Sequence, residues 1–266
     1  MATAREEYIN ALRLGQKEKK KREAEGKDPY PAVLDEVFPD AARAQIKEFP
    51  PQEIPADLII GTRSQGRTGV FSASFYPLAP EDSEFAMKWI ALCEEHLSET
   101  GIREPIECYE YLGNFYVAEG NKRVSVLRYF GAVRIPARVK RVLPADGDDP
   151  RTAAYREFAE FHRATGIWDI QFKKPGEYAR LLAALGKKQG GEWTETEKRH
   201  LISVFGQFRT VFDALGGTKQ DLLPEEALLL FLKVYSWEQL AAMPAAELKK
   251  ALADLWGDVK TSSEPE

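Results

Sequence analysis

Cysteine is scarce in this chain: two residues, Cys93 and Cys108, among 266. Their spacing matches no metal-binding pair. Cys93 falls in an apolar helical pattern and Cys108 in a strand-like run, so both read as small buried hydrophobes. The three histidines, His96, His162 and His200, are far apart and no two share a helical turn, which argues against a histidine-based zinc site. No apolar run is long enough to span a bilayer, and the start MATAREEYINALRLGQ has no apolar signal core. The expectation is a cytoplasmic protein without a membrane partner. A basic excess is missing too: 37 Lys and Arg against 42 Asp and Glu leave a net charge of -5. Proteins bound mainly to nucleic acid carry a positive excess, so DNA binding here requires a local patch.

What is present fits a globular chain. Hydrophobic residues make up 44% and charged residues 30%, and the length suffices for one large or two modest domains. Residues 4–25 read as a charged helix anchored by Tyr8, Ile9, Leu12 and Leu14. Its run Lys17, Lys19, Lys20, Lys21, Arg22 reads as a solvated face, with phosphate contact as the alternative. Gly26 ends the helix, and Pro29-Tyr30-Pro31 begins an extended connector that completes an N-terminal segment, 1–50.

A domain at 51–145 follows. Ile54 to Ile60 looks like a short strand with its entry turn, and Gly61 to Thr68 like a polar loop. Pro80-Glu81-Asp82 opens a helix whose Phe85, Trp89 and Leu92 keep helical spacing, and Gly101 closes it. Ile106 to Tyr111 alternates, Gly113-Asn114 supplies a turn, and Phe115 to Ala118 returns as the second strand of a hairpin. After Gly120 comes a helix with Val124, Leu127 and Phe130 on one face, stopped by Gly131, and Ile135 to Val139 forms a last strand. The acidic stretch 145–150 faintly resembles a calcium loop but lacks the later glutamate, so it reads as a linker.

The remainder, 150–258, is expected to be helical over 150–164, 175–186, 194–214, 224–234 and 244–256, with a tail at 259–266. Thr194 and Ser236 begin capping-box patterns, and Pro224 and Pro244 suit first helical turns. The stripe Phe205, Phe208, Val211, Phe212 reads as core. Such a helical region is a candidate surface for a homodimer.

The chemistry concentrates at 117–124. A strand ends, a glycine turns the backbone, and a helix begins, so the first helical amides and the helix dipole face one place. Lys122 and Arg123 add two charges there, which makes a ready anion site for phosphate. The dipole contributes only about 0.3–1 kcal/mol, whereas micromolar binding needs about 8 kcal/mol, so other donors must converge. The loop from Gly61, with Thr62, Arg63, Arg67 and Thr68, is the candidate source, against the alternative of two solvated arginines. Glu119 is open to four readings: an exposed acid at a strand end, a Mg²⁺ ligand, a catalytic base, or the partner of Lys122 or an arginine.

The words Gly101-Ile102-Arg103-Glu104-Pro105-Ile106, Tyr116 to Arg123 and Phe130 to Pro136, in that order, resemble the ParB/sulfiredoxin-like superfamily over about 54–143. The resemblance implies an α+β fold: a small mixed sheet with helices, here preceded by an N-terminal helix and followed by an all-α region. It also implies nucleotide phosphates held by Gly120, Asn121, Lys122 and Arg123 together with the preceding arginine loop. The sulfiredoxin cysteine is replaced by Asn121 or Lys122, which excludes that activity, and no convincing helix-turn-helix of a partition protein follows. The chain looks more like bacterial members with a helical extension. Three functions follow: a regulatory protein binding CTP or ATP; a phosphotransferase or metal-dependent nuclease using Glu119, with Mg²⁺; or a DNA-binding partition-like protein.

Overall fold

Alternating burial along the strands, together with capped helices, sets the architecture of a computed structural model that describes residues 2–144, 149–217 and 222–261. The side chains of Ala42, Arg67 and residues 256–261 lie outside that description. The fold is α+β, and the chain divides into two compact units, Met1–Asp146 and Gly147–Glu266. Residues 145–148 of the expected acidic linker and residues 262–266 of the expected tail lie outside the described residues. Among the described residues, no helix is long and apolar enough to cross a membrane.

The first unit holds a mixed seven-stranded sheet: β1 Ala32–Val33, β2 Ile46–Glu48, β3 Gln52–Pro55, β4 Ile59–Thr62, β5 Ile106–Tyr111, β6 Asn114–Glu119 and β7 Arg134–Val142. Its order is β1-β4-β6-β5-β7-β2, with β3 also on β7. The β5/β6 hairpin turns through Leu112 and Gly113, both at positive φ (48° and 84°), and so Asn114 already lies in the strand opposite Tyr111. Ile106, Cys108 and Glu110 project to the buried side of β5. Glu110 is fully buried and pairs with the buried Arg141 across the parallel β5/β7 register, while its Oε1 accepts the Gly113 N–H at 2.7 Å. Each charge is tolerated inside because the other is there. Both thiols are buried, and desolvation pushes the Cys93 thiol up to about 11.

Four helices accompany the sheet: α1 Ala4–Ala24, the single-turn α2 Leu34–Val37, α3 Glu84–Leu97 and α4 Asn121–Tyr129. Helix α1 starts on a Thr3 capping box and turns Tyr8, Ala11, Leu12 and Gly15 inward. The Tyr8 ring meets Trp89 of α3 edge-on at 5.3 Å, and its hydroxyl donates to Ala79 O at 2.6 Å. Trp89 Nε1 in turn donates to Ser125 Oγ of α4 at 2.9 Å, tying three helices together. Gly15 has no room for a side chain, since a Cβ would lie 2.4 Å from Pro77 O. Lys17, Lys20 and Lys21 of the basic run are exposed, and Lys19 donates to the Tyr30 hydroxyl at 3.0 Å.

The structure departs from the sequence pattern in several places, among them the following. The expected strand 54–60 is broken by a 3-10 turn, Ala56–Leu58, into β3 and β4. Gly61 and Thr62 belong to β4, not to a loop, because they pair with Ala32 and Val33 of β1 inside the presumed connector. The helix after Pro80 starts later, since Ser83, not proline, accepts the Ala86 N–H at 3.1 Å as its cap. The last helix runs to Thr261, past the expected end at 256.

The second unit is helical: α5 Pro150–Thr165, α6 Glu177–Ala184, α7 Glu195–Ala214, α8 Pro224–Phe231, α9 Trp237–Ala242 and α10 Ala245–Thr261. Both capping boxes, at Thr194 and Ser236, are made. Phe205, Phe208, Val211 and Phe212 are core, with Phe208 edge-on to Phe231 at 5.7 Å. Glu225, in the first turn of α8, is 8% exposed, and burial raises its carboxyl from 4.5 to about 7 against the pull of backbone donors and Arg209.

A carboxyl that holds its proton more tightly when folded favours the fold below its ordinary value. That advantage is lost as pH rises from 4.5 to about 7. Urea denaturation of wild type and Glu225→Gln at about pH 5 and about pH 8 should show the variant gaining about 2.5 kcal/mol on wild type between the two. A difference that does not change with pH would refute this assignment.

Candidate functional site

Strand β6 is buried through Phe115, Tyr116 and Val117 and delivers the chain to Gly120, which caps α4 at φ 98°, ψ 19°. A Cβ at Gly120 would lie 2.7 Å from Ile106 Cγ2 and 3.3 Å from Arg123 Cζ. Only glycine satisfies both the left-handed backbone and this space. The first α-helical bond runs from Val124 N–H to Gly120 O at 3.0 Å, so the amides of 121–123 precede it at the helix end carrying the dipole's positive pole.

The Gly120 turn opens on a cleft of about 350 Å³. Its apolar walls are Phe71, together with Phe85, Ala91 and Leu92 of α3. Its polar lining is Lys88, Glu104, Glu119, Asn121, Lys122 and Arg123. Lys122 Nζ lies 5.1 Å from the centre of the Phe85 ring, and Lys88 Nζ pairs with Glu84 at 2.5 Å. Asn121 Oδ1 is buried with no hydrogen-bond partner, an arrangement native proteins rarely leave standing.

Arg123 is the best-satisfied cation here. It is 9% exposed, and its Nη1 donates to the carbonyls of Glu104 at 3.1 Å and Pro105 at 2.7 Å. Nη1 also lies 3.2 Å from Glu104 Oε2, and Nη2 lies 3.6 Å from Glu119 Oε1. Of the four readings of Glu119, the structure shows two together: an exposed acid at the end of β6, and an ion-pair partner of Arg123 four residues on. Glu104 is a second carboxylate in the cleft, held on the same guanidinium.

The structure thus brings Glu119, Gly120, Asn121, Lys122 and Arg123 to one cleft. Among the described residues it does not line that cleft with Thr62, Arg63 or Thr68. Arg63 donates its N–H to Val117 O at 2.9 Å, and its guanidinium bonds the Tyr109 hydroxyl and lies 4.3 Å from that ring's centre. Thr62 is buried and donates to Ser64 O at 3.0 Å, and Thr68 donates to Gln65 O at 3.0 Å. The backbone of Arg67 lies in the 3-10 segment Gln65–Val70, and its side chain is outside the described residues. Sheet pairing takes up the start of the segment read as an open loop. The cleft's second lysine comes from α3 instead. Phe71, Phe85, Lys88 and Glu104 were not read from sequence as site residues. Glu104 sits inside the word 101–106, and Lys88 follows Phe85 by three positions on a helix, the signals available for finding them.

Among the described residues, no three His, Cys, Asp or Glu side chains are grouped so as to hold a metal ion. Comparison with known proteins adds no relative: no family model matches the chain, and no curated protein matches it.

Gly120→Ala should destabilise the protein by roughly 2–4 kcal/mol, combining left-handed backbone strain with the clash on Ile106. Urea unfolding measures it, and a loss below about 0.5 kcal/mol would contradict the described turn.

Proposed function

We propose that the protein is a cytoplasmic nucleotide-binding regulatory module of the ParB/sulfiredoxin-like kind, taking CTP or ATP at the 119–123 turn. The observation that carries this reading is the Gly120 junction, which opens a helix start into a cleft lined by two lysines, Lys88 and Lys122. Helix amides and ammonium groups are the donors that suit phosphate oxygens. The volume lies within the range of small-molecule sites, about 300–1,000 Å³. Phe85 gives the cleft an apolar surface beside Lys122, backed by the buried Phe71. The buried, unpartnered Asn121 Oδ1 asks for a donor, which a sugar hydroxyl or an exocyclic amine supplies.

Arg123 has a different part from the one its position suggested. With two carbonyls and two carboxylates already around it, it fastens the turn and adds little net charge to the cleft. The phosphate contacts therefore fall to Lys122, Lys88 and the amides of 121–123.

A second reading, a phosphotransferase or metal-dependent nuclease, is favoured by one observation: Glu104 and Glu119 both line the cleft. Both face Arg123, so the residues present do not by themselves make a Mg²⁺ cage. A Mg²⁺ carried in by phosphate oxygens would gain Glu119 only if that side chain left Arg123.

Calorimetry with CTP, ATP and GTP, each with Mg²⁺, should give micromolar binding for at least one, about -8 kcal/mol. The double variant Lys88→Ala/Lys122→Ala should weaken it at least tenfold, a loss of about 1.4 kcal/mol or more. Absence of binding by all three nucleotides at about 1 mM, or binding untouched in the double variant, would sink the proposal. Turnover that disappears in Glu119→Gln while binding persists would move the assignment to the enzyme, and a steeply salt-dependent shift of duplex DNA to the partition-like reading.

A further inference from the structure

We infer a second ligand site in the helical unit, independent of the cleft above: a small pocket for an organic cation with a guanidinium or alkylammonium head group. The pocket is about 80 Å³ and is formed by α5, α6 and the segment leading into α7. Three rings wall it. Phe161 lies 5.1 Å from Tyr178 at an interplanar angle of 37°, and 6.2 Å from Trp193 at 85°. The Tyr178 hydroxyl donates to Ile170 O at 2.8 Å, and the ring, packed also on Phe158 and Phe172, reaches the pocket with a small part of its surface. Aromatic faces set at such angles are how proteins hold cationic groups that are poorly hydrated.

Glu157 and Glu160, three apart on α5, complete the lining. Both take neutral donors. The Gly176 N–H reaches the two oxygens of Glu157 at 2.8 and 2.9 Å, and Gln189 Nε2 reaches Glu160 Oε2 at 2.9 Å. Among the described residues neither carboxylate forms an ion pair, and hydrogen bonds from amides leave their charge in place. The exposed Lys188 also lines the pocket, so two negative charges face one positive. Lys187 does not line it. Its ammonium bonds Glu197 at 2.6 Å and rests 5.1 Å from the Trp193 ring centre, so this indole already accepts a cation from within the chain.

Size and charge together select the ligand. A water needs about 10–15 Å³ on the same scale, so the pocket admits a small head group and not a nucleotide. Anions meet two carboxylates, and a neutral apolar group gains nothing from them. A cation answers both the rings and the acids. The same head group occurs on free amines and on arginine or lysine side chains of a peptide.

The test is an NMR titration of the full chain, following the backbone amide of Gly190 in the pocket lining, with methylguanidinium, tetramethylammonium and N-acetylarginine amide as probes. At least one should saturate, with Kd of about 1 mM or tighter. Trp193→Ala should abolish binding, Trp193→Phe should keep a weaker form of it, and Glu160→Gln should weaken it about tenfold. Tighter binding of the arginine amide than of methylguanidinium points to a peptide source, and the reverse to a free small cation. If Trp193→Ala does not fold, as judged by its circular dichroism, the other two variants decide. No saturation by any probe up to about 10 mM, or binding unchanged in both Trp193→Phe and Glu160→Gln, overturns the site.

Discussion

A buried arginine at the start of a helix governs the first unit's candidate site. Arg123 leaves water almost completely, and an isolated guanidinium there would be prohibitive. The fold answers with the carbonyls of Glu104 and Pro105 and the carboxylates of Glu104 and Glu119. These partners come from the segment entering β5 and from the last residue of β6, so a single side chain locks the hairpin's two ends to the first turn of α4. Lysine could not replace it, because a single ammonium cannot serve acceptors on both sides of the planar fork. Gly120 is the steric half of the same device: its missing Cβ is what lets Ile106 and the guanidinium close over the turn.

This explains which parts of the fold were legible. Features written in contiguous residues came through: the hairpin of β5 and β6, the capping boxes at Thr194 and Ser236, the glycine stop at 131 and the Phe205–Phe212 stripe. Strands β1 and β2 did not, since two or three residues carry no period and exist only because β4 and β7 offer free edges. Gly61 looked like loop because glycine is a loop residue by habit. Here it is small because Ala32 O and Tyr116 press on it from neighbouring strands, with a Cβ position only 2.2 Å from that carbonyl. Pro80 looked like a first-turn residue, yet the hydroxyl that satisfies the helix end belongs to Ser83.

The site divides along the same line. The turn 119–123 was readable because strand, glycine, helix and cations are consecutive. Its surroundings were not, because Phe71, Phe85, Lys88 and Glu104 arrive from other elements. The sequence pattern pointed to Arg63 as the second donor, being an arginine in a polar stretch. In the fold its guanidinium is turned to Tyr109, while its main-chain N–H pairs with β6. An arginine's place in the chain says little about whether its donors are already used.

The charge pattern of the cleft follows from this spending. Two carboxylates on one guanidinium leave Lys88 and Lys122 as the remaining positive groups of the lining, and Lys88 has Glu84 beside it. On the proposed reading, a ligand phosphate would compete with Glu84 for Lys88. Arg123 restrains the segment entering β5 through the Glu104 and Pro105 carbonyls, whereas the proposed phosphate contacts are Lys88, Lys122 and the amides of 121–123. A site built only for tight capture would leave its arginine open; this one has its arginine committed to the fold before any ligand arrives.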